Sequence, residues 1–455
     1  MNRKLFFWSI VVALGGFLFG VDVAVISGAE QAIKQEWHLS DVMHGLAIGM
    51  ALYGTVVGAL AGGLPASRFG RKKTLMGIGL LYLLSSLGSA WAPDVHIFML
   101  FRFLGGLAIG ASSVVAPMYI SEIAPAKNRG RLVAIFQFNI VFGILMAYLS
   151  NYWLQHLGEN SWRWMLGVVA LPSFVYCLLL LWVPESPRWL MVHRSDYQRA
   201  RAILQVSDPS GVEAALAALQ QSIDEEKQKE SLASFFSGRY TKAMMLAFLI
   251  AAFNQLSGIN AVIYYAPRVF ELAGLGRDAA FLQSAGIGLV NLIFTLLGMY
   301  LIDRIGRRKL MLIGSVGYIL SLSAVAAAFH WGWLGGLLVP VLLFAFIAAH
   351  ALGQGAVIWV FISEVFPNSV RAYGQSLGSA THWIFAALAA STFPALAQRF
   401  GPAPLFGFFA VMMVLQLLWV LWRMPETKGV PLEQLETQLQ KPQHPQKWKE
   451  KTTTA

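Results

Sequence analysis

One carboxylate and one guanidinium stand inside otherwise apolar stretches of this chain. Asp22 lies in the run GFLFGVDVAVISG, and Arg102 follows the run IFMLF. An ionisable side chain inside a membrane is costly, so it usually has a partner and a function. At about 1.5 Å per residue both side chains reach the same half of their spans, and their depths permit an ion pair. The pair could be a fixed link between two helices, or protonation of the carboxylate could release the arginine.

A dense polar cluster interrupts another apolar stretch, FNQLSGINAVIYYAP. Its amides Asn254, Gln255 and Asn260 offer both hydrogen-bond donors and acceptors, which suits a neutral polyhydroxy ligand. On a regular helix Gln255 and Asn260 would point about 140° apart. We therefore predict a break at Ser257 and Gly258 that lets both amides face one cavity. Amide contacts between helices are the alternative, but the density of the cluster favours a ligand.

Other side chains suited to a sugar ring occur singly. Gln137 and Asn291 repeat the amide theme, while Trp359 and Trp383 offer flat apolar faces, and His382 adds a polar handle. The histidines lack carboxylate or cysteine companions at ligand spacing, so we expect no metal site and no cofactor. Neither a nucleophile with a base nor a phosphate loop stands among the intramembrane residues, so we expect no enzyme.

Membrane-spanning helices must position these side chains. Of the 455 residues 57% are hydrophobic and only 13% are charged, about half the charged share of a soluble domain. This composition excludes a water-soluble fold. Stretches of about 20 apolar residues cross a bilayer, and twelve can be identified. They are 5–28, 41–66, 74–92, 96–119, 132–154 and 164–183, then 243–270, 280–302, 310–330, 335–362, 373–397 and 403–422.

Three charged phrases occur twice, roughly 240 residues apart, as expected of a duplicated bundle. ASRFGRKK returns as IDRIGRRK, ISEIAPAKNR as ISEVFPNSVR, and PESPRWL in part as PETKG. We predict an all-α integral membrane protein with twelve transmembrane helices in two six-helix bundles. The predicted divisions are an N-terminal bundle at 1–187, a cytoplasmic helical linker at 188–240, a C-terminal bundle at 241–427 and a cytoplasmic tail at 428–455.

The repeated phrases are topology signals in the simpler interpretation and a latch in the sharper one. In the latch, basic side chains pair with glutamates at helix ends on one face and close that face in one state of the cycle. Exposed pairs contribute only about 0 to 1 kcal/mol each, so a network is needed. The candidate gating residues are Arg68, Arg71, Glu122, Arg129, Glu185, Asp303, Arg304, Arg307, Glu364, Arg371 and Glu426.

The distribution of positive charge predicts orientation. Most of the 34 Lys and Arg residues fall on one side if both termini share it, and cytoplasmic loops attract positive residues. We predict a multi-pass protein of the cell inner membrane with both termini cytoplasmic. The net charge of +11 then reflects topology, and no nucleic-acid partner is expected.

Taken together, the motifs resemble the sugar porter family of the major facilitator superfamily, and the resemblance covers essentially the whole chain. They are GFLFGVDVAVISG, RFGRKK, RFLGGLAIG, PMYISEIAP, PESPRWL, NQLSGINAVIYYAP, DRIGRRK, VIWVFISEVFP and PETKG. By this resemblance the sugar-contacting positions are Gln137, Gln255, Asn260, Asn291, Trp359 and Trp383, with Phe19 and Tyr264 as wall residues.

The resemblance also assigns roles to the charged pair and marks departures. Asp22 and Arg102 match the proton-coupling pair of a bacterial sugar and proton symporter, whereas passive facilitators carry an amide at position 22. Asn254 and His382 stand where many relatives have glutamine and an amide, respectively. Ile144 resembles hexose transporters.

These observations predict a secondary active transporter that imports a monosaccharide, a hexose or a pentose, with a proton by alternating access. The expected partners are the sugar, the proton and membrane lipid, and the chain is expected to function as a monomer. Two alternatives stay open. A passive sugar uniporter would use Asp22 and Arg102 as architecture only, and a membrane sugar sensor would bind sugar without moving it.

Overall fold

The computed structural model describes residues 2–125, 127–209, 211–226, 231–367 and 369–430, together with 435 and 439. Helices form almost all of the regular structure there, and no strand occurs in these ranges. The helices are α1 (Arg3–Glu36), α2 (Asp41–Ala61), α3 (Gly63–Phe69), α4 (Arg71–Ala90), α5 (Val95–Ile123), α6 (Arg129–Leu154), α7 (Ser161–Gly167), α8 (Ala170–Leu180), α9 (Pro187–Trp189), α10 (Tyr197–Ser207), α11 (Val212–Glu226), α12 (Leu232–Phe235), α13 (Thr241–Leu256), α14 (Ile259–Tyr264), α15 (Ala266–Leu272), α16 (Arg277–Ile305), α17 (Arg307–Trp331), α18 (Leu338–His350), α19 (Ala356–Glu364), α20 (Arg371–Phe400) and α21 (Pro402–Trp422), with π-helical turns π1 (Leu190–Arg194) and π2 (Ala351–Gly355).

Eleven helical stretches in the described ranges are long and apolar enough to cross a membrane. The twelfth, α4, has 20 residues and starts with three basic side chains, Arg71, Lys72 and Lys73. It packs against α5 and α8 as a spanning helix would. The predicted all-α fold with twelve spans is therefore confirmed. Helix α1 is longer than the predicted span 5–28, because it continues to Glu36.

Three spans consist of consecutive helical pieces. Helices α7 and α8 form one span, α13 and α14 form another, and α18 and α19 are joined through π2. Irregular backbone at membrane depth is tolerated only where it is buried in protein or lines a cavity, and π turns are frequent at functional sites. The breaks in the second half therefore indicate where a ligand can approach.

The spans alternate in direction, which gives the molecule two faces. The terminal face carries the starts of α1 and α13 and the ends of α19 and α21, and the loop face carries the ends of α1 and α20 and the start of α2. We call the boundary between residues 1–187 and 241–427 the seam. Helices α2 and α20, and α6 and α16, pair across it.

The seam is closed on the loop face. Among the described residues, the hydrogen bonds that cross it lie in the loop half: Gln31 Nε2 donates to Glu271 Oε2 (2.7 Å), and the Tyr148 hydroxyl donates to the Ile263 carbonyl (2.8 Å). A Cβ placed on Gly45 would lie 1.9 Å from the Ser391 carbonyl oxygen. Only glycine permits that approach of α2 to α20.

The described residues of the predicted linker 188–240 include the helices α10, α11 and α12. Side chains of α10 and α11 form a small apolar cluster with Trp189, Leu190 and Met191, and Phe235 of α12 contacts the rings of Phe366 and Tyr373 in the second half. The predicted tail 428–455 lies for the most part outside the described residues.

Candidate functional site

The polar cluster of the seventh span is held at a helix break. Helix α13 ends at Leu256, Gly258 adopts a left-handed conformation with φ of 82°, and α14 begins at Ile259. The break turns Asn260 back toward Gln255, and Asn260 Nδ2 donates to Gln255 Oε1 (2.9 Å). The predicted interruption is therefore present, and it brings together two amides that a regular helix would separate.

Gln255 is the centre of this group. Its Nε2 donates to Asn254 Oδ1 (2.8 Å) and lies 3.2 Å from His382 Nε2 on α20. The other ring nitrogen, His382 Nδ1, lies 3.4 Å from the same amide nitrogen. An imidazole that receives an amide N–H acts there as an acceptor. When the imidazole is neutral, the group is polar and carries no charge.

Aromatic rings pack beside the amide group. Trp359 and Trp383 both pack on His382, with ring centroids 5.0 and 4.7 Å away. Trp383 also contacts Phe19 of the first half across the seam at 5.7 Å. Trp359 is 40% exposed, whereas Phe19 and Trp383 are almost fully buried. Flat apolar rings beside amides fit the two sides of a sugar, its C–H face and its hydroxyl groups.

Behind the group a chain of amides crosses the second half, and sequence reasoning did not identify it. Asn254 Nδ2 donates to Gln354 Oε1 (3.4 Å), Gln354 Nε2 donates to Gln416 Oε1 (2.7 Å), and Gln416 Nε2 donates to Ser315 Oγ (2.8 Å). Gln354 lies in π2 and Gln416 in α21. Gln416 interrupts the strongly apolar run VMMVLQLLWV, which was the available signal, whereas Gln354 stands among small residues in ALGQG.

Asp22 and Arg102 form the expected pair. Arg102 Nη1 donates to Asp22 Oδ1 (2.8 Å), and its Nη2 donates to the Asp22 carbonyl oxygen (3.3 Å). The two residues are 2% and 1% exposed. Asp22 Oδ2 and Arg102 Nε have no hydrogen-bond partner among the described residues. The pair is thus intact but not saturated, because each member keeps one unused polar atom.

Single-turn spacings connect the charged pair to the aromatic and amide groups. Phe19 and Asp22 are three residues apart on α1, so they lie on one face of that helix. Asn260 and Tyr264 are similarly separated by one turn of α14. The buried Tyr264 hydroxyl lacks a hydrogen-bond partner in the described ranges, and its ring lies within electrostatic range of both Asp22 and Arg102.

Gln137 and Asn291 are less closely integrated. Asn291 is buried on α16 and accepts from the Thr295 hydroxyl (3.4 Å). Gln137 is partly buried on α6. No hydrogen bond joins either residue to the Gln255 group in the described part of the chain, so their assignment to the sugar site stays a prediction.

The charged phrases form two equivalent clusters on the terminal face, one in each half. Arg71 makes two hydrogen bonds to Glu122 (2.8 and 3.0 Å), and its backbone N–H donates to Glu185 (2.8 Å). Arg307 binds Glu364 with the same geometry (2.8 and 3.1 Å). Its backbone N–H donates to Glu426 (2.9 Å).

Each cluster closes on its own half, and none of these bonds crosses the seam. Asp303 adds a pair to Arg307 (3.0 Å). The remaining candidate gating arginines have other contacts: Arg68 lies over the Phe69 ring, Arg304 over the Tyr300 ring, and Arg371 donates to the Phe366 carbonyl. Among the described residues no ion pair is formed by Arg129.

The sequence suggested that Asp22 is the only carboxylate buried in a span, but α1 buries a second one. Glu30 is 1% exposed and lies 2.9 Å from His44 of α2. The predicted span ended at residue 28, so Glu30 lay outside it. The helix in fact continues for two further turns.

Comparison with known proteins agrees with this geometry. The family model described as "Sugar (and other) transporter" matches residues 8–439. This chain belongs to that sugar transporter family. It is 36% identical to the arabinose-proton symporter of Bacillus subtilis over 94% of this chain and 93% of that protein. It is 33% identical to the D-xylose-proton symporter of Escherichia coli over 96% of each.

Solved structures of the family share the fold. The inward-open conformation of the xylose transporter XylE from Escherichia coli has a TM-score of 0.84 and 32% identity, covering 95% of this chain and 99% of that chain. XylE bound to 6-bromo-6-deoxy-D-glucose has a TM-score of 0.80 and 33% identity, covering 96% of this chain and all of that one. The chain is a multi-pass membrane transporter of the major facilitator type, and it is not an enzyme.

Proposed function

We propose that this chain imports a monosaccharide, a hexose or a pentose, together with a proton by alternating access. It would act as a monomer in a bacterial inner membrane, in contact with lipid, with both termini and the terminal face cytoplasmic. Residues 1–187 and 241–427 are the two bundles that move, 188–240 the cytoplasmic linker and 428–455 the cytoplasmic tail.

The observation that carries the proposal is the buried pair Asp22 and Arg102, in which Asp22 lies one helical turn from Phe19 of the aromatic wall beside the amide group. The guanidinium of Arg102 lies 2.8 Å from the Asp22 carboxylate, and protonation of the carboxylate would remove the attraction between them. Phe19, on the same face of α1 as Asp22, contacts Trp383. A change in the charge of Asp22 therefore reaches the aromatic wall through a single helix.

The chemistry of the amide group supports a neutral polyhydroxy substrate. Gln255 hydrogen-bonds both Asn254 and Asn260, and a sugar hydroxyl can replace either partner. Trp359 and Trp383 supply apolar faces at the same place. Similar proteins include proton symporters of arabinose, galactose and xylose, and Ile144 favours a hexose here.

Alternating access requires that the two faces close in turn. In this structure the loop face is closed by bonds across the seam, and the clusters of Arg71 and Arg307 each stay within one half. We propose that these clusters hold the ends of the spans in place as rigid units when the halves rock. Between states the bundles would then separate on one face and meet on the other.

The test is sugar uptake by purified protein in proteoliposomes with and without an imposed proton gradient. The reference chain is expected to accumulate sugar only with the gradient. Asp22→Asn is expected to lose accumulation while it keeps exchange of labelled for unlabelled sugar. Asp94→Asn is the matched control, because Asp94 is an exposed cap on the helix that carries Arg102. Equal accumulation with and without a gradient would identify a uniporter, and absence of exchange would identify a sensor.

A further inference from the structure

A second group of buried ionisable side chains lies near the loop face, outside the sites described above. Glu30 of α1 and His44 of α2 are 1% and 0% exposed. His44 Nε2 lies 2.9 Å from Glu30 Oε2 and 3.0 Å from the Glu30 carbonyl oxygen. Both belong to the first half. Arg268 of α15 belongs to the second half, and its Nη1 lies 4.0 Å from the same carboxylate oxygen.

The group is incompletely bonded in this state. Neither Glu30 carboxylate oxygen has a hydrogen bond of good geometry, and His44 Nδ1 has no partner among the described residues. A buried carboxylate normally takes several such bonds, because desolvation is costly. The unused atoms leave room for one more proton or for a closer approach of the guanidinium.

The other charged side chains on the helices packed around Glu30 and His44 are paired with one another or lie further from this group. On α1 and α2, Lys34 and Asp41 form an ion pair of 2.5 Å. On α15, Glu271 is bonded to Gln31. The ring centroids of Tyr265 and His44 are 6.2 Å apart. The Tyr265 hydroxyl donates a hydrogen bond to the Ala390 carbonyl oxygen of α20. The balance at the centre therefore rests on Glu30, His44 and Arg268.

Two positive charges can balance the single negative charge of Glu30. With the loop face closed, the guanidinium of Arg268 supplies one of them from the opposite half. A proton added to His44 would then leave a net positive charge in a buried place, which is unfavourable. With the loop face open the halves separate, Arg268 moves away with its half, and a protonated His44 becomes the partner of Glu30.

We propose that Glu30 and His44 form a second proton-binding site, for which a proton and Arg268 of the opposite half compete. Acid on the loop face thus favours the open state that receives sugar, and closure returns the proton to the same side. This proton is not carried across, so it adds nothing to the coupling through Asp22. The inference rests on alternating access but not on proton symport.

The test measures opening of the seam directly. Ser391 is buried against Gly45 and Gly49 across the seam, so a cysteine there reacts only when the loop face opens. The reporter is Ser391→Cys with the single native cysteine changed, Cys177→Ser. Labelling by a membrane-impermeant maleimide is followed between about pH 5.5 and 8, the range in which imidazole changes charge.

The intrinsic pH dependence of the thiol must be divided out, since the thiolate is the reacting species. Asn160→Cys, in the exposed turn before α7, serves as this control on the same face. After correction, acid is expected to speed labelling of the reporter about fivefold or more, the lower end of coupling between linked sites. His44→Gln and Glu30→Gln should each abolish this response, and Glu30→Gln should also label faster at high pH because Arg268 has lost its partner.

Persistence of the full pH response in either variant, or slower labelling in acid, would overturn the proposal. Sugar exchange by each variant checks that the protein is folded. Asp22→Asn in the reporter background is expected to keep the response. Failure of proton symport would appear in the accumulation assay alone, so the two proposals fail separately.

Discussion

His382 occupies the point where the amide group meets the aromatic wall. It lies 3.2 Å from Gln255 Nε2, and both tryptophans pack on its ring. Its hydrogen bond and its shape can be separated by substitution. His382→Gln keeps an acceptor for the amide, whereas His382→Leu does not. We expect His382→Leu to weaken sugar binding about five- to tenfold, the effect of one net hydrogen bond, and His382→Gln to stay within about threefold of the reference.

The measurement is the dissociation constant of the sugar, read from intrinsic tryptophan fluorescence of the purified protein. Trp359 and Trp383 are the local probes. Equal affinity of the leucine and glutamine variants would show that only the shape of His382 matters. A competition panel of pentoses, hexoses and polyols on the same variants then reports which hydroxyl depends on this position.

At the same scale, the sequence identified residues whose type is rare in a span and missed those at the margins. Asp22, Gln255 and Asn260 were evident because a charge or several amides stand within an apolar run. Glu30 escaped because hydropathy alone places the end of α1 too early, and Gln354 because one amide among small residues carries little signal. Which polar atoms meet depends on helix rotation and packing, and composition does not encode these.

The element that shapes the site is the broken seventh span, and its geometry depends on Gly258. Its φ of 82° suits glycine, and a Cβ there would lie 2.5 Å from the Phe409 ring. We expect Gly258→Ala to destabilise the protein by about 2 to 3 kcal/mol through backbone strain and this contact. Because the break orients Gln255 toward Asn260, sugar affinity should fall as well.

Gly407→Ala is the matched control for that substitution. Gly407 lies within α21 of the same half, and nothing would lie within 4 Å of its Cβ. Alanine favours a helix interior by about 1 kcal/mol over glycine, so this variant is expected to melt at the same or a higher temperature. Thermal unfolding in detergent checks both. A Gly258→Ala protein as stable as the reference would mean that the break does not require the left-handed residue.

Internal repetition was the most informative sequence feature at the scale of elements. Two copies of three phrases predicted two bundles, and the Arg71 and Arg307 clusters have matching hydrogen bonds. The latch was expected to close the terminal face only in the state in which the loop face is open. In this structure the loop face is closed and each cluster bonds within its own half, so the latch stays a prediction. A sequence repeat specifies the same local structure twice and leaves the contacts between copies undetermined.

For the whole molecule, the decisive contact is the approach of α2 to α20 at the loop face. A Cβ on Gly45 would lie 1.9 Å from the Ser391 carbonyl oxygen, so any side chain at this position keeps α2 and α20 apart. We expect Gly45→Val to retain sugar binding and to lose exchange of labelled sugar by at least about tenfold, a barrier increase of roughly 1.4 kcal/mol. Gly77→Val, where nothing lies within 4 Å of the added carbon, is expected to exchange normally.

In the Ser391→Cys reporter, Gly45→Val should be labelled fast at every pH, because closure is blocked whether or not Arg268 can reach Glu30. Normal exchange by Gly45→Val would mean that closure of this seam is not a step of transport.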